Sequence, residues 1–355
     1  MTANRTAAAR TASVASPASV ASPAPANRAA AARSRTVRKP VLAAAAAAAA
    51  FAALIAGAAA SAAPASAATT CASSPSACGY PDASNTGVPS SVKLTTVGTG
   101  AGQVSSGTGW TLTTGGWVQV TGVGATLSGL NIPYNVNIVA NNVTLNNDKI
   151  TAGGPNSMGI SLRHTSGVTI ENTTITGTDS GTNRLMTGIK DVFSDSSGLT
   201  VNKCNISNFE TGVQLESGLV ENNYIHNPGY VSSDHTNGVM SNGATTPLTI
   251  THNTIFNSLG QTDDIGLFED FSGQGNRTIT NNLLAGGSYS IYAGATNESS
   301  YGVPTNIVIT GNVFATNYFA TGGAYGPVSY FDHAGTGNKW TSNTWDTTGT
   351  TIASP

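Results

Sequence analysis

Leu248-Thr249-Ile250-Thr251-His252-Asn253-Thr254-Ile255 is followed in the chain by Thr278-Ile279-Thr280-Asn281-Asn282-Leu283-Leu284 and by Ile307-Val308-Ile309-Thr310-Gly311-Asn312-Val313-Phe314. Apolar and polar residues alternate in each, the period-2 mark of a strand with one buried face. Two residues before the last apolar position stands an asparagine. Carried outward, the same frame fits residues 143–150, 167–175, 199–206, 219–225 and 340–345, with a weaker copy at 127–132. The position held by asparagine then reads Asp148, Thr173, Cys204, Asn223, Asn253, Asn282, Asn312, Asn343, at spacings of 25, 31, 19, 30, 29, 30 and 31.

A near-constant period with one residue type in register means that the copies stack directly on one another. Stacked asparagines can bond up and down the file, and asparagine tolerates the left-handed backbone of a tight turn. Between the copies lies a second strand opening on glycine and an aliphatic residue: Gly159-Ile160, Gly188-Ile189, Gly212-Val213, Gly238-Val239 and Gly266-Leu267. The expected fold is all-β, a single-stranded right-handed parallel β-helix of about nine coils. An antiparallel sandwich also has many short strands, but has no reason to keep an asparagine file. At ~4.8 Å per coil the rod is roughly 45 Å long. Its open ends need covers, expected at residues 79–120 and around Trp340 and Trp345.

The first 67 residues carry seven Arg/Lys, no Asp or Glu, and mostly alanine. A moderately apolar stretch over residues 41–60 follows Arg35, Arg38 and Lys39, and Ala65-Ser66-Ala67 is a small-x-small cleavage pattern. A membrane anchor of that length is the alternative, but the reading adopted is a signal peptide over 1–67, an N-terminal segment and cap over 68–120, and the β-helix with its C-terminal cap over 121–355. The product is expected to be secreted and extracellular, off the membrane once cleaved, and monomeric. The remaining 8 bases face 17 acids, about −9 in net charge, which argues against nucleic acid as a partner. Cys71 and Cys78, seven apart, are expected to form a disulfide in an oxidising compartment. The repeat places Cys204 inward, as a small buried apolar residue.

In a β-helix the inner face is packed, so chemistry belongs to outward residues and loops. Aligning the coils on the strand glycine puts Arg184, Glu210, Asp234/His235 and Asp263/Asp264 on one flank. Two residues after the glycine come Lys190, Gln214, Met240, Phe268 and Tyr292, and two further on come Glu216 and Asp270. The expected groove therefore has Lys190, Arg184 and His235 as catalytic residues and Glu216, Phe268 and Tyr292 as substrate-binding residues. Asp234, Asp263 and Asp264 form a carboxylate set that could hold Ca²⁺. Such a site could perform β-elimination on a uronate, the ion neutralising the carboxyl while Lys190 or Arg184 acts as base. It could instead hydrolyse with inversion through two carboxylates, or bind a glycan without reaction. The plain structural alternatives are a turn cap for Asp263-Asp264, a backbone-bonded loop histidine for His235, and an exposed ion pair for Lys190 and Glu216. No P-loop, dinucleotide glycine fingerprint, zinc spacing or nucleophile elbow is present.

Over residues 120–345 the coils resemble the pectate-lyase-like superfamily of right-handed β-helix repeat proteins. The segment from Cys78-Gly79-Tyr80-Pro81 to Val88-Pro89 is similar to the entry segment of secreted actinobacterial members. Asp234-His235-Thr236-Asn237-Gly238-Val239-Met240 resembles their His-x-Asp-Gly-[Val/Ile]-Gln segment, with Asn237 in place of the acid and Met240 in place of the glutamine. The resemblance implies the fold and a polysaccharide substrate or partner. Characterised members include calcium-dependent lyases and inverting hydrolases. The hydrolase motifs are not present in order, and the lyases' calcium acids do not map residue by residue.

Overall fold

Each alternating segment folds into two short strands meeting at a tight corner. In the computed structural model, which describes residues 70–355, Leu248–Thr251 passes through His252 and Asn253 into Thr254–Asn257. The expected signal peptide over 1–67 lies outside the described residues. The residue before the file position is left-handed in coil after coil: Asn147, Asn172, Lys203, Asn222, His252, Asn281 and Ser342 have φ between 46° and 61°. Left-handed tolerance is thus needed one residue earlier than the file. The file asparagine itself turns inward.

Strands pair coil on coil into three mostly parallel sheets. The ladder sheet has ten strands, from Thr95–Thr96 to Thr344–Trp345. The cleft sheet has eleven, from Ser106–Gly107 to Gly326–Ser329, and the third sheet nine, from Thr126–Ser128 to Lys339–Thr341. This is a parallel β-helix of the expected size. Register stacks like on like: Ile150, Ile175, Ile206, Ile225, Ile255, Leu284 and Phe314 form one wholly buried column of the ladder sheet. Burying each such side chain contributes roughly 1.5–3 kcal/mol.

The asparagine file forms as expected. The backbone N–H groups of Cys204, Asn223, Asn253, Asn282 and Asn312 each donate to the Oδ1 of the file asparagine one coil on, at 2.8–3.0 Å. The five Nδ2 groups donate back to Val201, Val220, Ile250, Ile279 and Ile309 carbonyls at 2.9–3.0 Å. Buried amides are tolerable because each finds partners on both sides. Cys204 occupies the file as a buried residue, and burial pushes its thiol up to about 12, so it holds its proton and is a poor nucleophile.

The expected N-terminal cover separates into two features. Residues 95–120 close the first coil, with Ser106–Gly107, Trp110–Leu112 and Trp117–Val120 joined antiparallel. Residues 71–88 instead form a strap along the ladder sheet. Cys71 and Cys78 are disulfide-bonded, and the N–H groups of Cys71 and Ala72 donate to the Asp346 carboxylate of the last coil at 2.8 and 2.9 Å. Tyr80 stacks on His252, Gly87 donates to the Lys203 carbonyl, and Val88 donates to Thr174 Oγ1. The strap covers Phe256, Leu283 and Ala285, outward apolar residues that would otherwise face water. No helix among the described residues is long and apolar enough to cross a membrane.

Candidate functional site

On the cleft sheet, Ile160, Ile189, Val213, Val239, Ile265 and Ile291 stack as a buried column. Beside it Gly159, Gly188, Gly212 and Gly238 stack so closely that a Cβ on each would lie 2.4–2.7 Å from the next coil's carbonyl oxygen. Asn237 pairs with Asp263, so the next member of this column is Asp264. Alignment on Gly266 is therefore displaced by two residues. Gly266 pairs with Met240 and then with Tyr292. The outward column reads Lys190, Gln214, Met240, Gly266, Tyr292, Ser329. Phe268, expected in that column, comes from the loop beyond it. Its ring covers the place where Gly266 has no side chain, 2.4 Å from the position a Cβ would take.

A second outward column lies one residue before the glycines: Thr187, Thr211, Asn237, Asp263. From these columns Thr187, Thr211, Asn237, Lys190, Gln214 and Met240 floor a cleft of about 470 Å³, walled by Met186, Glu210, His235, Thr262, Phe268 and Asp270. Of the residues predicted from sequence, Lys190, His235 and Phe268 line this cleft directly. Lys190 is half-buried and belongs to none of the ion pairs among the described residues. Desolvation lowers its pKa, against the opposing pull of the Glu210 charge. Glu210 is raised, first by desolvation and then by the nearby Asp234 charge, while Arg184 and the His235 amide hold it down.

Arg184 is not placed to act as a base. It is buried behind the cleft wall, with its Nη2 2.8 Å from Glu210 and also paired to Asp234. Asp234 in turn accepts from the Val231 N–H at 2.6 Å. The trio braces the loop that carries His235. Glu216 lies away from the cleft, buried, accepting from Ser241 Oγ at 2.6 Å and the Asn242 N–H at 2.9 Å. Arg277 approaches it from the same interior cluster. Tyr292 sits one coil beyond the cleft, its ring 5.6 Å from that of Phe268.

Asp263 and Asp264 are both wholly buried but have different surroundings. Asp264 accepts from the Asn257 N–H at 3.0 Å through Oδ1, while its Oδ2 has no partner. Asp263 lies under Phe268, its Oδ2 2.6 Å from the place of a Gly266 Cβ, and neither carboxyl oxygen has a hydrogen-bond partner. Burial raises both well above the usual carboxylate range, and the Asp264 charge adds to the effect on Asp263. Calcium takes six to eight oxygens from a converging set. Here Asp234 is committed to Arg184, and no three His, Cys, Asp or Glu side chains gather as metal ligands among the described residues. The expected Ca²⁺ set is not assembled.

Sequence reading passed over Thr187, Thr211 and the amide of Asn237 as a cleft floor. The signal was present as a polar residue directly before the strand glycine in successive coils. Asn237 donates through Nδ2 to the His235 carbonyl at 2.7 Å, while its Oδ1 is buried without a partner. Comparisons with family models, curated proteins and solved structures found no match for this chain.

Proposed function

We propose that this is a secreted, carbohydrate-active β-helix protein that cleaves an acidic polysaccharide by β-elimination in the cleft, without the calcium set expected from sequence. The observation that carries the reading is Lys190: one half-buried amine, free of ion pairs and depressed by desolvation, on the floor of an open groove. A lysine serves as a base only in its neutral form, which burial favours. Lys190 Nζ takes the C5 proton of the uronate, the electron pair forms the C4–C5 double bond, and the C4–O bond breaks. The ammonium so formed returns the proton to the leaving oxygen, so the step balances without a further reactant. Gln214 and His235, both lining the cleft, supply hydrogen bonds to the uronate carboxylate as its charge spreads. The likeness to the pectate-lyase-like superfamily and the Ala-rich leader point the same way.

The test is incubation of the mature protein with polygalacturonate, alginate and other uronans, reading ultraviolet absorbance of the unsaturated product. Lys190→Ala is expected to lower the rate by about 10²–10⁴-fold with an unchanged melting temperature. The rate should rise with pH as the amine loses its proton, along a limb lying below the ordinary lysine range. New reducing ends without absorbance would replace elimination by hydrolysis. Absence of both signals would leave glycan binding, a reading favoured by the commitment of Arg184 and Asp234 to each other.

A further inference from the structure

Beyond the cleft, towards the C-terminal coils, the cleft sheet carries a run of aromatic rings. Tyr292 follows Gly266 in the same outward column as Lys190, Gln214 and Met240. Its ring is 5.6 Å from Phe268 on the cleft wall and 5.7 Å from Tyr330, stacked at 24°. Tyr289, on the same strand, meets Tyr292 edge-on at 5.5 Å and Tyr325 at 6.0 Å. Two of these rings are strongly exposed, Tyr325 at 74% and Tyr330 at 50%. Tyr330 also holds φ 59°, a left-handed conformation that costs a bulky residue about 1–2 kcal/mol. The register partners of Tyr289 and Tyr292 in the next coil are Gly326 and Ser329, too small to stand above the rings.

We propose that Tyr292, Tyr330, Tyr289 and Tyr325 form a stacking platform that binds sugar units of a glycan chain extending out of the cleft. This deepens the polysaccharide reading and rests on it for the identity of the cleft's occupant. The platform lies in line with the cleft floor, and successive coils advance by ~4.8 Å, close to the rise of one pyranose unit along an extended chain. Phenol rings offer a flat apolar face to the C–H side of a sugar and a hydroxyl to its rim. The four rings carry no charge, so the platform recognises ring faces rather than carboxylates. A protein anchor would need a pocket to fill, whereas these rings form a run that meets the groove at the Phe268 wall.

Affinity electrophoresis through gels cast with polygalacturonate, alginate, xylan or a β-glucan tests the platform separately from the chemistry. The wild-type chain is expected to be retarded by at least one of these polymers, with retardation persisting at high salt. Lys190→Ala should lose cleavage yet remain retarded. A Tyr325→Ala/Tyr330→Ala variant should bind that polymer about tenfold to a hundredfold more weakly, the scale of two ring contacts. Tyr330→Phe, which keeps the ring, should bind as the wild type does. Unchanged melting temperatures show that the alanine variant is folded. Retardation of the double alanine variant equal to wild type overturns the platform, as does the absence of retardation of wild type in every gel. Concentration-dependent dimerisation abolished by the same substitutions would also overturn it, assigning the rings to a second copy of the chain. Failure of the uronan assay with retardation intact removes the lyase and leaves the platform.

Discussion

The asparagine file and the cleft are both built from polar side chains, and they treat them in opposite ways. In the file, amides from Asn223 to Asn312 lie wholly buried, and each donates and accepts between adjacent coils. Around the cleft, both oxygens of Asp263 and the Oδ1 of Asn237 are buried without partners. Buried polar groups left unpaired cost about 1–3 kcal/mol each. From Asn223 to Asn312 the file therefore ties coil to coil, whereas these atoms beside the cleft have no partner within the fold.

The largest effect is expected from breaking the file in its middle. Asn282→Ala removes the acceptor for the Asn253 N–H and Nδ2 and the donors to Ile250 and Asn312. It should destabilise by about 3–4 kcal/mol, read as a lower urea midpoint. Lys190→Ala, equally central along the rod, should leave that midpoint in place. Equal losses at the two positions would erase the distinction between a structural file and a functional cleft.

The file also has a weak member, and repairing it should produce the opposite sign. Asp148 accepts from the Leu130 N–H at 2.8 Å, but its Oδ2 has no partner, and desolvation pushes the carboxyl up to about 7. The folded chain thus keeps a proton that the unfolded chain releases near the ordinary carboxylate value. Its contribution is intact below that value and is lost as pH rises to about 7. Asp148→Asn supplies an amide like those of the later coils. The variant should gain on the order of 4 kcal/mol at pH 8 and almost nothing at pH 4. A gain that does not depend on pH would mean that the carboxyl is not protonated in the fold.

The file and the core columns were legible because the repeat imposes them: every coil must place an inward residue where the last one did. Cys204 was placed correctly on that basis alone. The strap was not legible, since Cys71 and Ala72 meet Asp346, Tyr80 meets His252 and Val88 meets Thr174, contacts that have no period. The cleft was legible in part. Lys190, Glu210, His235, Phe268 and Asp270 were recognised as one flank, but Glu216 and Asp264 look inward to partners of their own. The misplacement of Phe268 has one source, the assumption that Gly266 continues the glycine column.

That assumption yields the finest test, because the same substitution should have different consequences at two glycines that look alike in sequence. At Gly238 a Cβ would lie 2.4 Å from the Asp264 carbonyl oxygen and 2.4 Å from Ile255 Cγ2. Backbone and core must both shift, so Gly238→Ala should cost about 2–3 kcal/mol, the upper range for overpacking. At Gly266 the closest atoms belong to the Phe268 ring and the Asp263 carboxylate, both at the ends of side chains. Phe268 can swing outward, and Gly266→Ala should cost below about 1 kcal/mol while changing the cleft wall. Its signature is altered retention on the glycan gels at nearly constant stability. Equal and large losses at both positions would place Gly266 back in the inner column, and with it Phe268 on the sheet rather than over Asp263.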